Sequence, residues 1–199
     1  LGSRVIAVAT IRFAPPLDAA PLEAAIRKLE RFRWLLFSSA TGIHYFFQAL
    51  KDRGIPSDSL AGMRFGAVGP ATAAALAALN LRADRIAAAG DACSLADALV
   101  GREARDPLGP SDPCLLPQAD IARPDLADLL RSAGVPVTTV TAYRTLGEDR
   151  EKAEPFLRAL EGEEGIDGIV FASPSAVRSF LAMTHPHGEH AIREKPIRV

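Results

Sequence analysis

The sequence has few of the residues that build metal clusters or disulfide frameworks. Only two cysteines occur among its 199 residues, Cys93 and Cys114, and they lie far apart in the chain. No set of neighbouring partners completes a zinc site or a disulfide pattern around them. Because disulfides belong to oxidising compartments, we expect a protein of the reducing cytoplasm.

Long apolar runs and an excess of one charge are also missing. No run approaches the ~20 apolar residues that span a bilayer, and the first residues lack the charged start and apolar centre of a signal peptide. The 23 Lys and Arg residues balance 24 Asp and Glu residues, so no global field favours nucleic acid or an anionic membrane. We therefore expect a soluble protein with neither partner, which holds any anionic ligand through local contacts.

Short apolar runs alternate with stretches of helical period, which is typical of βαβ units and an α/β fold with parallel sheets. The predicted strands are "RVIAVATIRF" (4–13), "WLLFS" (34–38), "MRFGAVG" (63–69), "PCLLP" (113–117), "VPVTTVTAYRTL" (135–146) and "GIVFAS" (168–173). Helices are predicted from Leu22, Ala40, Pro70, Cys93, Ala122, Ala153 and Ser175.

One phrase occurs twice. "WLLFSSATGIHYFF" and "GIVFASPSAVRSFL" align when Phe37 is paired with Phe171, an offset of 134 residues that also pairs Ser39 with Ser173. A repeat of that length indicates two domains. In each copy a buried strand ends in a serine and a helix begins at once, and such helix starts bind anions.

"AVGPAT" (67–72) predicts a third junction of this kind, in which Gly69 permits a tight turn and Thr72 adds a hydroxyl. A purely structural explanation stays open for all three, because serine is a favoured N-cap in any α/β protein. The duplication favours a functional role.

The ordered set "WLLFSSATGIHYFF", "AVGPATAAAL", "LLPQADIARPDLADLLRSAG", "VTAYRTL" and "IVFASPSAVRSFL" resembles the uroporphyrinogen-III synthase family. The resemblance implies two parallel-sheet α/β domains joined by a two-stranded antiparallel linker. By it, residues 13–138 form the middle domain, residues 1–8 and 144–199 form a discontinuous terminal domain, and residues 9–12 and 139–143 form the ladder between them. The two repeated junctions would face each other across the cleft.

The same comparison predicts that segments of the terminal domain are missing from the sequence. The counterpart of "RFGAVGPAT" would fall just past Val199, and Leu1 to Val8 resembles the family's second strand. We expect the terminal domain to be incomplete in these 199 residues.

The chemistry implied by the resemblance is that of a lyase in porphyrin biosynthesis. It closes hydroxymethylbilane, a linear tetrapyrrole carrying acetates and propionates, into uroporphyrinogen III with inversion of ring D and loss of water. The reactive carbons belong to the substrate, so the protein acts mainly by holding the substrate in the geometry for ring closure. No cofactor and no metal are implied, in agreement with the absence of a dinucleotide glycine fingerprint, a P-loop or a metal-ligand set.

The resemblance also assigns site residues. Tyr143 is the candidate proton donor to the leaving hydroxyl, because a phenol is protonated at neutral pH. Ser39, Thr72 and Ser173 match family positions that hydrogen-bond the substrate's carboxylates, and the junction residues that assist them are Ala40, Gly69, Ala71 and Ser175. Pro117 and Gln118 depart from the family pattern, where an arginine or glycine is common, so a carboxylate contact is in doubt there.

Two other interpretations of the sequence stay open. "THPHGEH" brings His185, His187, Glu189 and His190 together in sequence, but a polar loop explains it without a metal. A non-catalytic two-lobed α/β module that binds an anionic metabolite would also have helix starts at a cleft, since one fold hosts many functions. A monomer is the default expectation.

Overall fold

A computed structural model of the protein describes residues 4–87, 89–161 and 166–185. Within them the chain forms a mixed α/β fold of six strands and seven α-helices. The strands are β1 (Ile11–Ala14), β2 (Trp34–Phe37), β3 (Arg64–Ala67), β4 (Arg85–Ile86), β5 (Cys114–Ala119) and β6 (Val137–Gly147). The helices are α1 (Ala20–Ile26), α2 (Ala40–Asp52), α3 (Pro70–Ala77), α4 (Ala92–Val100), α5 (Asp125–Ser132), α6 (Glu154–Glu161) and α7 (Pro174–Thr184).

The strands form one sheet with the order β1-β6-β5-β2-β3-β4. β2 pairs in parallel with β3 and with β5, β3 pairs in parallel with β4, and β5 pairs in parallel with β6. All four residues of β2 are buried, which is expected of a parallel strand covered on both faces. The predicted buried strand at "WLLFS" and the α/β class are confirmed.

The chain divides into two compact units, one of residues Pro15–Arg144 and one of Leu1–Ala14 with Thr145–Val199. In the first unit, side chains alternate across β2. Leu35 and Phe37 belong to one apolar cluster with α2, whereas Trp34 and Leu36 belong to another with α4 and α5. Because β2 and β3 are parallel and each is followed by a helix, the starts of α2 and α3 lie at the same edge of the sheet.

The second unit has a smaller apolar cluster, built from α6 and α7. Phe156 and Phe180 pack edge to face with ring centroids 4.8 Å apart, and Phe171 contacts Phe180 at 5.2 Å. The hydroxyl of Ser179 on α7 donates to the backbone carbonyl of Thr10. These contacts fix α7 within its own unit.

One strand prediction is wrong, and another is too long. "GIVFAS" contains only an isolated bridge at Gly168, and the side chain of Val170 is 98% exposed. At "RVIAVATIRF", residues 4–10 are not a strand, and β1 begins at Ile11. An apolar β-branched run indicates a tendency to be buried, but a strand also needs a neighbouring strand for its backbone hydrogen bonds. Within the described ranges, neither residues 4–10 nor residues 168–173 pair with a neighbouring strand in a regular ladder.

None of the helices in the described ranges combines the length and the apolar character needed to cross a membrane.

Candidate functional site

The first predicted junction is the turn from β2 into α2. Ser39 is the N-cap of α2 in an extended conformation, and its Oγ accepts a hydrogen bond from the N–H of Gly42 at 3.0 Å. The N–H of Ile43 is also bonded, to the carbonyl oxygen of Ser39. Because a helix leaves its first N–H groups without intrahelical acceptors, those of Ala40 and Thr41 are suited to an anion.

Tyr143 lies beside this junction although it is 104 residues away in sequence. Its phenolic oxygen is 3.0 Å from Ser39 Oγ, and the residue is buried, with 6% of its surface exposed. Since β5 separates β2 from β6 in the sheet, the two side chains meet across the carboxyl end of β5. The structure thus brings together the predicted acid and one of the predicted carboxylate contacts.

An irregularity in β6 orients Tyr143. Gln118 of β5 is paired with Thr141, but the next residue, Ala119, is paired with Tyr143, so that β6 carries Ala142 as an extra residue. As a result Ala142 and Tyr143 are both buried although they are consecutive. Such bulges re-aim a side chain relative to regular alternation. Nothing in the sequence alternation signals this bulge.

Tyr45 was not expected at the site. Its ring lies 5.5 Å from that of Tyr143, with 18° between the ring planes, which is a stacked arrangement. Tyr45 is half-buried on α2. It stands inside the repeated phrase, but an aromatic residue on a helix is ordinarily a core residue, so its sequence position gave no functional signal.

The second junction is the turn from β3 into α3, next to the first because Phe37 and Ala67 are paired. Gly69 has φ +88°, a left-handed conformation that glycine adopts readily. Thr72 is 4% exposed, and its hydroxyl donates to the carbonyl oxygen of Val68 at 3.0 Å. That proton is therefore used within the turn, and the groups left to an anion are the N–H groups of Ala71 and Thr72.

The third junction lies in the other unit, at the start of α7. Ser173 is the N-cap, with backbone angles of φ −164° and ψ 157° that match those of Ser39, −158° and 154°. Its Oγ accepts from the N–H of Ala176 at 3.2 Å and lies 3.0 Å from Ser175 Oγ. The predicted equivalence of the two serine caps is confirmed at the level of cap geometry, although a regular strand precedes only the first.

Of the four candidate metal ligands in "THPHGEH", the structure describes His185, whose backbone carbonyl accepts a hydrogen bond from Arg150. In the described part of the chain, no group of three or more metal-ligating side chains could hold a metal ion. His187, Glu189 and His190 lie outside the described residues. A groove of about 510 Å³ lies beside α2 and the turn that follows it, between His44 and Pro56, and none of the predicted site residues lines it.

Comparison with known proteins gives a consistent assignment. Residues 1–198 match the model of a family described as Uroporphyrinogen-III synthase HemD. A curated relative, the porphyrin biosynthesis protein HemD of Ruminiclostridium josui, is 29% identical over 184 residues, which are 92% of this chain and 35% of the relative. The chain thus spans about a third of that relative's length.

Solved structures share the fold. A mutant uroporphyrinogen III synthase of the extremely thermophilic bacterium Thermus thermophilus superimposes with a TM-score of 0.64 at 20% identity, covering 94% of this chain and 71% of the other. The wild-type enzyme gives 0.57 at 22% identity, with 96% and 70% covered. Uroporphyrinogen-III synthetase of Helicobacter pylori gives 0.52 at 17% identity, with 87% and 70% covered.

Proposed function

The chain belongs to the uroporphyrinogen-III synthase family, and from this premise we propose that it is a lyase that closes hydroxymethylbilane into uroporphyrinogen III. The reaction releases one water and inverts ring D. The observation that carries the proposal is the contact between Ser39 Oγ and the phenolic oxygen of Tyr143. A buried phenol lies beside the start of α2, next to the start of α3, which supports a role in proton donation.

Tyr143 is the proposed acid. When the carbon–oxygen bond of the substrate's hydroxymethyl group breaks, the electron pair leaves with oxygen, which takes the phenolic proton and departs as water. The first ring is left as an azafulvenium cation, which the last ring attacks. The proton that the last ring loses when the macrocycle closes returns to the phenolate and restores the acid. General acid assistance of this kind contributes roughly 10²–10⁴-fold to a rate.

The hydrogen bonds around Ser39 suit this role. Its Oγ accepts a hydrogen bond from Gly42 N–H. The serine hydroxyl carries one proton, which it can donate to one acceptor. When Ser39 donates to the phenolic oxygen of Tyr143, this contact does not engage the phenolic proton. Ser39 then assists the acid as well as contacting a carboxylate.

The carboxylates of the substrate are proposed to bind at the three junctions. In the unit of residues 15–144 the contacts are Ser39, Ala40, Gly69, Ala71 and Thr72, and in the other unit they are Ser173 and Ser175. The cap geometry of Ser39 and Ser173 supports this, because both leave early N–H groups available to an anion. No residue is assigned to a metal or cofactor, because the proposed chemistry uses only the substrate's own carbons and side-chain protons.

The finer domain organisation is part of the proposal. A middle domain of residues 13–138, a terminal domain of 1–8 and 144–199, and a ladder of 9–12 and 139–143 are supported by the division of the chain into two compact units near residues 14 and 144. We place the protein in the cytoplasm as a monomer whose partner is hydroxymethylbilane. The family match favours this enzyme over a non-catalytic module that binds an anionic metabolite.

The test is conversion of freshly generated hydroxymethylbilane, with uroporphyrin III and I separated after oxidation. Both the 199-residue chain and its complete reading frame are assayed. Isomer III above the spontaneous background supports the proposal. If both proteins give isomer I alone, at the spontaneous rate, the proposal is refuted. The alternative of a non-catalytic binding module then stands.

A further inference from the structure

We propose that Tyr45 is a positioning residue that fixes the ring of Tyr143 in the orientation needed for proton donation. The proposal rests on the proposed function, because it takes Tyr143 as the acid. Its basis is the stacking of the two rings, with centroids 5.5 Å apart and 18° between their planes. These are the only two tyrosines of the sequence.

A hydrogen bond to a phenolic oxygen does not by itself orient the ring. The contact with Ser39 Oγ restrains the phenolic oxygen of Tyr143 at 3.0 Å, but this contact does not oppose rotation of the ring about its long axis. A parallel neighbouring ring opposes that rotation, because near-parallel rings at this separation form the favoured offset stack. Tyr45 therefore supplies a restraint that Ser39 cannot.

Both restraints come from one rigid element. Ser39 caps α2 and Tyr45 lies within it, so the hydroxyl contact and the ring contact move together. The helix is fixed to β2 through Phe37, whose ring packs against Phe46 at 5.8 Å and against Phe47 at 6.4 Å. Phe46 is fully buried, so α2 is held to β2 by a closely packed contact.

The bulge in β6 increases the need for such a restraint. Backbone pairing shifts between Gln118 and Ala119, and regular ladder contacts next to Tyr143 are disturbed. The ring of Tyr45 on α2, stacked on that of Tyr143, restrains the side chain where the ladder does not. Tyr45 is half-buried, whereas Tyr143 is buried, so the restraining ring lies nearer to the surface than the ring it restrains.

The inference predicts a loss of rate without a loss of binding. In Tyr45→Leu, the phenol of Tyr143 keeps its hydrogen-bond partner but samples ring orientations that do not point at the leaving hydroxyl. We expect kcat to fall about two- to tenfold, the range that corresponds to one aromatic pair, with KM unchanged. Tyr45→Phe restores most of the lost kcat because the ring is retained.

The experiment measures kcat and KM for wild type, Tyr45→Leu, Tyr45→Phe and the control Gln48→Leu, which alters an exposed residue of the same helix outside the stack. Tyrosine labelled with ¹³C then reports on the ring directly. Each Tyr45 variant has one tyrosine left, so its single NMR signal belongs to Tyr143. We expect the signal to stay near its wild-type position in Tyr45→Phe and to shift in Tyr45→Leu, where the ring current is lost.

The outcomes separate this inference from the proposed function. A wild-type protein that forms only isomer I refutes the function and, with it, the role of Tyr45. If wild type forms isomer III but Tyr45→Leu has the same kcat, or raises KM alone, the positioning role is wrong while the function stands. The positioning role is equally wrong if the Tyr143 signal is identical in the Leu and Phe variants.

Discussion

The hydroxyl of Ser39 and the phenol of Tyr143 share a hydrogen bond of 3.0 Å across a separation of 104 residues. The order β6-β5-β2 makes this contact possible, because Ser39 follows β2 and Tyr143 lies in β6 opposite Ala119, the last residue of β5. A candidate acid is thereby connected to the start of α2, whose N–H of Gly42 donates to the same serine oxygen. The N–H of Gly42 is thus linked through one hydroxyl to the phenol.

Replacement of Tyr143 by phenylalanine tests the acid. Tyr143→Phe keeps the ring and its stack on Tyr45 but removes the proton, so we expect the rate of isomer III formation to fall by about 10²-fold or more. Thermal unfolding, followed by circular dichroism, should change little because the buried ring remains. A rate within twofold of wild type would remove Tyr143 from the mechanism.

Replacement of Ser39 by alanine separates capping from function. Loss of the cap is expected to lower the free energy of unfolding by about 1 kcal/mol. Turnover should fall modestly, because the other carboxylate contacts remain. The matched control is Asp91→Ala, which removes the cap that accepts from Ser94 N–H at 2.7 Å on α4.

Asp91→Ala should cost similar stability in denaturant titrations while leaving the rate unchanged. If Ser39→Ala behaves like Asp91→Ala in both measurements, Ser39 only caps its helix. If Ser39→Ala abolishes turnover in a well-folded protein, binding is not distributed over several contacts.

Two glycines with similar positive φ angles provide a second matched pair. Gly69 has φ +88° and Gly134 has φ +84°, and a β-carbon at either would meet no atom closer than 3.5 Å. Replacement by alanine should therefore cost about 1 kcal/mol or more at each site through backbone strain alone.

Only Gly69→Ala should also raise KM, because Gly69 begins the turn that presents the N–H groups of Ala71 and Thr72. Gly134 follows the carboxyl end of α5 and serves as the control. Equal KM values for the two variants would exclude the α3 start from the binding site.

The two cysteines should react very differently. Cys114 is fully buried on β5, and burial, with a smaller effect of the Asp112 carboxylate, raises the pKa of its thiol to about 12. Cys93 is exposed. At pH 8 a disulfide reagent should therefore label one thiol per native molecule and two after denaturation in guanidinium, since the thiolate is the reactive form.

Cys93→Ser should abolish the native labelling, and rapid labelling of two thiols in native wild type would contradict the burial of Cys114. The same pKa has a consequence for stability. Its ordinary value is 9.0, so the unfolded thiol loses its proton near pH 9 and the folded thiol only near pH 12. The contribution of this group is fully present below pH 9 and is lost as the pH rises towards 12.

Local signals in the sequence were sufficient for most elements. The apolar run Trp34–Phe37 predicted a buried strand, and the spacing of Ile43, Phe46 and Leu50 predicted α2, because burial and helical period are properties of a short segment. Serine caps were predictable for the same reason. The segment "GIVFAS" misled because strand formation depends on a neighbour that the segment itself does not encode.

The details of the site were harder to predict. Resemblance pointed to Tyr143 and Ser39, but their hydrogen bond depends on strand order, a long-range property. Tyr45 gave no signal because helical aromatic residues usually pack in a core. Thr72 was predicted to offer its hydroxyl to a ligand, whereas the hydroxyl donates to Val68 within the turn; only coordinates distinguish these uses of one side chain.

The extra residue in β6 reverses the alternation of side chains along the strand. Odd-numbered residues lie on one face of the sheet before it and on the other face after it. Up to Thr141, every second residue shares a face, and counting on would put Tyr143 on the face of Thr141. Because Gln118 and Ala119 are consecutive and are paired with Thr141 and Tyr143, those two side chains lie on opposite faces instead. A homologous strand without this insertion would carry the equivalent of Tyr143 one position earlier, so a correct alignment of the two places a single-residue gap at Ala142.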